Sequence, residues 1–168
     1  MQMSMYQASA PVFTKMLTNL AGILDKAQAH AEAKKFDPTV LLDSRLSPDM
    51  LPFTKQIHIA TDFARGCIAR LAGQEPPKFE DNERSFAELK TRIERSIAAI
   101  KEYGPAQIDG SENREINIKM GGQPKTFTGQ KYLQEIIMPN FFFHVTTAYA
   151  LLRHNGVELG KKDFVGPV

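Results

Sequence analysis

Two segments of the sequence with helical periodicity each carry a histidine and a second polar residue one helical turn away. His58 precedes Asp62 by four positions, and Asn140 precedes His144 by four positions. Residues at this spacing lie on the same face of a helix, so each pair would project to one side. Such pairs, directed into the core of a helix bundle, are how bundle metal sites are built. These four residues are therefore our candidates for a site.

The four side chains allow more than one kind of site. A divalent ion such as zinc or nickel takes three or four nitrogen, sulfur or carboxylate ligands. His58 and His144, with Asp62 as a helper, would be a small set, because the amide of Asn140 is a poor ligand. Alternatively, His144 is a core histidine bonded to Asn140, a tyrosine or the backbone, since an unpartnered buried polar group costs about 1–3 kcal/mol. A histidine acting as general base ranks last, because the sequence supplies no nucleophile.

Four segments with apolar residues every three or four positions must position these side chains. We predict helices over residues 9–33, from 49 or 50 to 73, over 85–103 and over 129–153. Ser85 and Glu88 have the spacing of a capping box at the start of the third helix. Pro139 interrupts the fourth helix, which predicts a kink near Met138 or two helices meeting there.

Residues 106–128 differ in character from the helical segments. Ile116, Ile118 and Met120 alternate with polar residues, and a Gly-Gly pair follows them. This pattern predicts a short β-hairpin between helices three and four, packed on the helices, with a disordered linker as the alternative. The whole pattern predicts an all-α fold, a four-helix bundle with one short hairpin, as a single domain over residues 1–168.

The composition excludes several classes of protein. The chain has 168 residues, 42% of them hydrophobic and 24% charged, which indicates one globular domain. A net charge of +2, with basic residues spread among acidic ones, does not favour nucleic-acid binding. No apolar run is long enough for a membrane span, and no secretory signal is evident. Cys67 is the only cysteine, so we expect a buried thiol and a cytoplasmic location.

Longer stretches of the sequence resemble a known superfamily. "HVTTAYALLRHNGV", with the preceding "SENREINIKMGGQPKTFTGQKYLQEIIMPNFFF", resembles the last helix and hairpin of DinB/YfiT-like proteins. It is more similar to an uncharacterised branch of that superfamily, a domain of unknown function. "SMYQASAPVFTKMLTNLAGILDKA" and "LLDSRLSPDMLPFTKQIHIATDFARGCIARLAG" are similar to the same branch. The resemblance covers essentially the whole chain, and it implies a bundle of DinB type with a site between helices two and four.

The resemblance also implies which residues would form that site. Members that keep a metal use one histidine from helix two and an H-x-x-x-H pair on helix four, followed by Gly-Gln. By this correspondence, His58 matches the helix-two histidine, and His144 matches the second histidine of the pair. Asn140 stands where the first would be, and Thr146-Thr147 replace Gly-Gln. We therefore expect a degenerate metal site.

Two functions remain as expectations. The first is a protein that binds a small ligand or a partner through Asn140, His144 and His58 without a metal. The alternative is a divalent-metal-dependent enzyme of the thiol-transferase or isomerase type known in the superfamily, with His58 and His144 on zinc or nickel. We favour the first and expect neither nucleic acid nor membrane as a partner. A homodimer is also open, and three aromatic residues expected at the surface would mark its interface: Phe36, Phe79 and Phe164.

Overall fold

A computed structural model describes residues 3–167 of the chain. The fold is mostly helical with a small two-stranded antiparallel sheet, as the periodicities predict. A π-helical segment, Tyr132–Ile137, joins the sixth helix to the seventh. In chain order the elements are α1 (Ala10–Lys34), α2 (Thr39–Leu42), α3 (Phe53–Leu71), α4 (Phe86–Lys101), α5 (Pro105–Ile108), β1 (Glu115–Met120), β2 (Gln123–Thr128), α6 (Gly129–Lys131), α7 (Met138–His154) and α8 (Lys161–Val165).

The four long helices, α1, α3, α4 and α7, enclose one hydrophobic core. α3 packs against α7 and α4, while α1 packs against α4 and, less extensively, against α7 and α3. Full burial of a large apolar side chain contributes about 1.5–3 kcal/mol, so the predicted stripes supply most of the driving force. Within residues 3–167, no helix is both long enough and apolar enough to cross a membrane. The largest apolar members of the core include Phe13, Leu17, Leu20, Phe53, Ile57 and Phe141.

α3, which carries half of the predicted site, begins later than the sequence pattern predicts. Its first residue is Phe53, preceded by Pro52 with an extended backbone and a ψ of 166°. The proline ring disfavours the helical conformation at Leu51, the residue before it. The helix therefore cannot continue back to Met50.

Only one of the two hydrogen bonds of the capping box predicted at the start of α4 is present. The hydroxyl of Ser85 accepts a hydrogen bond from the backbone N–H of Glu88 at 3.2 Å. The carboxylate of Glu88 accepts from the backbone N–H of Arg84, one residue before the expected donor. The hydrogen bond to the Ser85 hydroxyl therefore forms as in a capping box, whereas the Glu88 carboxylate satisfies the backbone N–H of Arg84 instead of that of Ser85.

The two strands pair in register around a tight glycine turn. Gly121 and Gly122 have φ values of 56° and 79°, which residues with a side chain rarely adopt. Ile116 faces the core and is buried, and Ile118 is half-buried on the same face. The alternation in the sequence therefore corresponds to an inner and an outer face of the sheet.

The helix before His144 is widened where the sequence predicts an interruption. Pro139 is the second residue of α7, which begins at Met138 directly after the π-helical segment. A proline lacks the N–H of a regular helical hydrogen bond and crowds the carbonyl four residues earlier. The wider π-helical turn removes that conflict. The interruption expected near Met138 thus takes the form of a π-helical segment immediately before it.

The three phenylalanines expected at the surface are half-buried instead. Phe36 and Phe164 pack against the core, and the Phe164 ring lies 6.0 Å from that of Tyr149. Phe79 lies between the guanidinium groups of Arg65 and Arg95, whose central carbons are 4.0 and 4.2 Å from its ring centroid. Contacts within the chain therefore account for all three residues.

Candidate functional site

His144 lies where α7 contacts α3, and a glutamine of α3 is its hydrogen-bond partner. Nδ1 of His144 lies 2.7 Å from Oε1 of Gln56. Nε2 of Gln56 donates to the backbone carbonyl of Leu51 at 2.9 Å, which fixes the orientation of the amide. Because an amide oxygen only accepts, Nδ1 must carry the proton. The other ring nitrogen, Nε2, is therefore a lone-pair acceptor.

Aromatic rings flank this imidazole on two sides. The ring of Phe63, from α3, is stacked on it with a centroid distance of 6.1 Å and an interplanar angle of 21°. Phe143 meets it edge to face at 5.2 Å. Burial lowers the pKa of His144 below its usual value of 6.5, because the charged form is desolvated. The ring is thus a neutral hydrogen-bond acceptor near neutral pH. We call Gln56, Phe63 and His144 the α3–α7 seam.

Asn140, one turn before His144, is engaged with its own helix. Its side-chain amide donates to the backbone carbonyl of Ile136 at 2.6 Å. The pairing of Asn140 with His144 that the sequence suggested as one alternative is therefore replaced by the contact with Gln56. Both residues are half-buried, at the edge of the core.

His58 is directed away from His144 and toward the connection between α3 and α4. It follows Gln56 by two positions, so the two side chains point about 200° apart around α3. Its Nε2 lies 2.8 Å from a carboxylate oxygen of Glu83, and its Nδ1 lies 3.4 Å from one of Asp81. His58 is only 2% exposed, and within the described chain neither ring nitrogen has a hydrogen bond of acceptable geometry. Burial lowers the pKa of His58, although the charge of Asp81 opposes that shift.

Asp62, the expected helper of His58, binds two arginines instead. One carboxylate oxygen lies 2.5 Å from Arg65 and 2.7 Å from Arg92. The side chain of Arg92 is completely buried and also reaches Asp81 at 3.0 Å and Glu83 at 3.1 Å. We call Arg92 with its three carboxylates the charge cluster. The cluster ties the α3–α4 connection to both helices, and its carboxylates are already neutralised by guanidinium groups.

These contacts do not fit the metal centre that the resemblance implies. His58, Asn140 and His144 stand at the three implied ligand positions, but each has different partners and their donor atoms do not converge. Among residues 3–167, no group of three or more His, Cys, Asp or Glu side chains is placed to hold a metal ion. The structure brings together His144, Gln56 and Phe63, and it directs His58 and Asp62 to the charge cluster.

Sequence reasoning missed Gln56 of the α3–α7 seam and Arg92 of the charge cluster. Gln56 precedes Phe63 by seven positions and so shares its face of α3, which is the signal that could have placed it at the seam. Arg92 lies beside Ile93, and with Ser96 it extends the apolar stripe of α4. A glutamine or an arginine in a helix normally indicates a solvent-exposed face, so the sequence pattern alone would place both side chains in solvent and not in the interior.

The lowered pKa values of His58 and His144 predict that acid destabilises the fold. At about pH 7.5, well above the ordinary histidine pKa of about 6.5, both rings are mostly neutral in the folded and the unfolded chain, and the free energy of unfolding depends little on them. Below that pH the unfolded chain takes up protons that the folded protein takes up only at lower pH, so stability falls. Urea unfolding between about pH 7.5 and about pH 5.5 should show this loss.

The variant His144→Gln should lose part of that pH dependence, because it removes one of the two shifted groups. The matched control is His154→Gln, which removes an exposed imidazole from the same helix. An identical pH dependence in wild type and His144→Gln would contradict the assignment of a neutral, desolvated ring at position 144.

Comparison with known proteins gives two findings. The family model described as "Domain of unknown function (DUF1993)" matches residues 5–165. Among solved structures, the crystal structure of a DinB family member protein from Shewanella denitrificans has a TM-score of 0.89 against this chain. That protein is 43% identical in sequence, and the match covers 97% of this chain and 92% of that one. No curated protein sequence matches significantly. The likeness thus extends over nearly the full length of both chains.

Proposed function

Because the chain belongs to the DUF1993 family of DinB-like domains of unknown function, we propose that it is a DinB-type four-helix bundle that binds a small organic ligand at the α3–α7 seam. The observation that carries the proposal is the hydrogen bond between Gln56 and His144. It holds the imidazole in one tautomer and leaves Nε2 as an acceptor that makes no hydrogen bond within the described residues. A ligand would complete this arrangement with an O–H or N–H group.

The surroundings of His144 favour a flat, partly apolar ligand. Small-molecule sites are mostly apolar hollows with a few fixed polar groups, and Phe63 and Phe143 supply the apolar surface here. Phe63 also lines a hollow of about 460 Å³ beside α3. Gln56 is buried and makes two hydrogen bonds, one of them to His144. The acceptor Nε2 of His144 is therefore held in place before the ligand binds, and little conformational entropy is lost on binding. An aromatic ring with a neutral hydrogen-bond donor fits these features.

In this proposal Asn140 and His58, which the sequence also suggested for ligand binding, have structural roles. Asn140 bonds to the carbonyl of Ile136 beside the π-helical segment. His58 lies beside the charge cluster, where Glu83 and Asp81 flank it. We therefore regard the metal site as degenerate, with His144 as the one member that retains a recognition role. The cytoplasm is our proposed location, since the one cysteine, Cys67, is a buried free thiol.

The alternative function is a divalent-metal-dependent enzyme of the thiol-transferase or isomerase type. In its favour, His144 lies at the contact of α3 and α7, where the resemblance to DinB proteins implies the site. Against it, His58 would have to leave Glu83 and Asp81 and turn to the opposite side of α3. Tag-free protein that binds one equivalent of zinc or nickel, and loses it in both His58→Ala and His144→Ala, would favour this alternative.

Titration with phenol, followed by NMR of the folded protein, tests the proposed function. Phenol offers one aromatic ring and one neutral donor, so we expect saturable shifts at His144 and Phe63. The variant His144→Phe keeps an aromatic ring but removes the acceptor, and phenol affinity should fall about tenfold, the value of one hydrogen bond of about 1.4 kcal/mol. His154→Phe, on the exposed end of α7, should bind phenol like the wild type. Shifts that lie elsewhere, or a phenol affinity that is unchanged in His144→Phe, would reject the proposal.

A further inference from the structure

Arg70 continues the face of α3 that carries Gln56 and Phe63, and its guanidinium is only partly used. One of its terminal nitrogens donates to the hydroxyl of Tyr132, on the π-helical segment, at 3.1 Å. No ion pair among residues 3–167 includes Arg70. A guanidinium offers several N–H donors in a fixed plane, so most of those on Arg70 have no protein acceptor in the described chain.

Arg70 also forms part of two neighbouring hollows. The first, of about 460 Å³, passes Phe63 and Gly66, and the second, of about 260 Å³, lies against β1 and includes Arg114. Arg114 donates to the carbonyl of Leu71 at the end of α3 and likewise has no ion pair in this part of the chain. Three carboxylates also line these hollows, Asp62 in the first, Glu115 in the second and Glu75 in both. All three are exposed, so solvent weakens their field, whereas Arg70 is half-buried and has no ion pair among the described residues.

A glycine in the middle of α3 makes room for this guanidinium. A Cβ atom at position 66 would lie 2.9 Å from a terminal nitrogen of Arg70, closer than real Cβ contacts allow. Glycine is unfavourable in a helix interior, because its backbone loses the most freedom there. At this position the lack of a side chain lets Arg70 lie along the helix and reach Tyr132. The space at Gly66 and the hydrogen bond to Tyr132 thus together position the guanidinium of Arg70.

We propose that Arg70, assisted by Arg114, binds a carboxylate or phosphate group on the ligand that His144 recognises. This inference rests on the proposed function and deepens it by naming the ligand class. A guanidinium binds such anions through two parallel hydrogen bonds, and it does so more strongly where it is shielded from water. Arg70 lies seven residues after Phe63, a rise of about 10 Å along α3. The ligand therefore carries an anionic group at one end and a ring with a donor at the other.

The test compares p-hydroxyphenylpropionate with its neutral amide by NMR titration of the folded protein. We expect the carboxylate to bind at least tenfold more tightly than the amide, with added shifts at Gly66 and Gly73. In Arg70→Gln the carboxylate should bind no better than the amide. Lys34→Gln, which removes an exposed charge on α1, should keep the full difference. Equal affinities in the wild type, or a preference that persists in Arg70→Gln, would overturn the inference.

A second variant keeps the test decisive if Arg70→Gln does not fold. Gly66→Ala adds a helix-favouring residue, so it should fold, yet its Cβ displaces the guanidinium. We expect the preference for the carboxylate to fall severalfold while phenol binding stays unchanged. An unchanged preference in Gly66→Ala would count against Arg70.

Separate titrations with inorganic phosphate and acetate distinguish the two anions and separate this inference from the proposed function. Shifts at Gly66 and Gly73 with phosphate assign a phosphate ligand, and shifts with acetate assign a carboxylate. If phenol fails to bind at His144 but either anion still shifts these glycines in an Arg70-dependent way, the proposed function falls and the anion site stands. If neither anion shifts them, the anion site falls whatever the result with phenol.

Discussion

Replacing Arg92 by methionine is expected to lower the free energy of unfolding by about 3–5 kcal/mol. The side chain of Arg92 is fully buried and reaches Asp62, Asp81 and Glu83. Its Nε also donates to the hydroxyl of Thr61 at 2.9 Å. Methionine would fill much of the volume but would leave these carboxylates without their shared counter-charge. Urea unfolding followed by circular dichroism measures the loss.

The matched control is Arg95→Met, one turn further along α4. Arg95 is exposed, and its guanidinium lies 4.2 Å from the centroid of the Phe79 ring. An exposed contact of this kind contributes about 0.5–1 kcal/mol, so the control should stay close to the wild type. If Arg92→Met were no more destabilising than Arg95→Met, the charge cluster would not hold the α3–α4 connection as described.

The second large effect concerns the three consecutive phenylalanines before His144. Phe141 is 0% exposed, and its ring meets that of Phe13 edge to face at 4.9 Å. Phe143, two residues later, is 54% exposed. Phe141→Ala should therefore cost about 3–5 kcal/mol, because it removes buried apolar surface and leaves a cavity. Phe143→Ala should change stability by about 0.5 kcal/mol or less. The same unfolding measurement compares them, and similar losses in both would contradict this packing of α7.

The hydrophobic periodicity was sufficient to predict the four long helices and the inward face of each. Phe86, Leu89 and Ile93 of α4 are buried as predicted, because a stripe of large apolar side chains has only one favourable direction to face. The glycine pair and the alternating isoleucines similarly indicated two antiparallel strands, since both are local properties of the chain. The sequence did not indicate α2, α5 or α8, which at four or five residues are too short to show a period.

The partners of the polar residues could not be predicted in the same way. The i, i+4 spacing of His58 and Asp62 correctly placed both on one side of α3, but it could not tell which element covers that side. The α3–α4 connection brings Asp81 and Glu83 there, and such a contact depends on the path of an irregular segment. For His144, the residue across the seam depends on which face of α3 is turned toward α7, which determines that Gln56 rather than His58 meets it. Side-chain pairing between elements is a tertiary property that a periodic pattern does not contain.

The central claim is that His144 is a neutral, oriented hydrogen-bond acceptor and not one ligand of a metal shared with His58. Long-range proton–nitrogen correlation NMR of the histidine rings at neutral pH reports directly which nitrogen carries the proton. We expect Nδ1 of His144 to be protonated and Nε2 to be unprotonated, because Oε1 of Gln56 accepts from Nδ1. Gln56→Leu should abolish this preference. A proton on Nε2, or a ring that is already charged at neutral pH, would contradict the account.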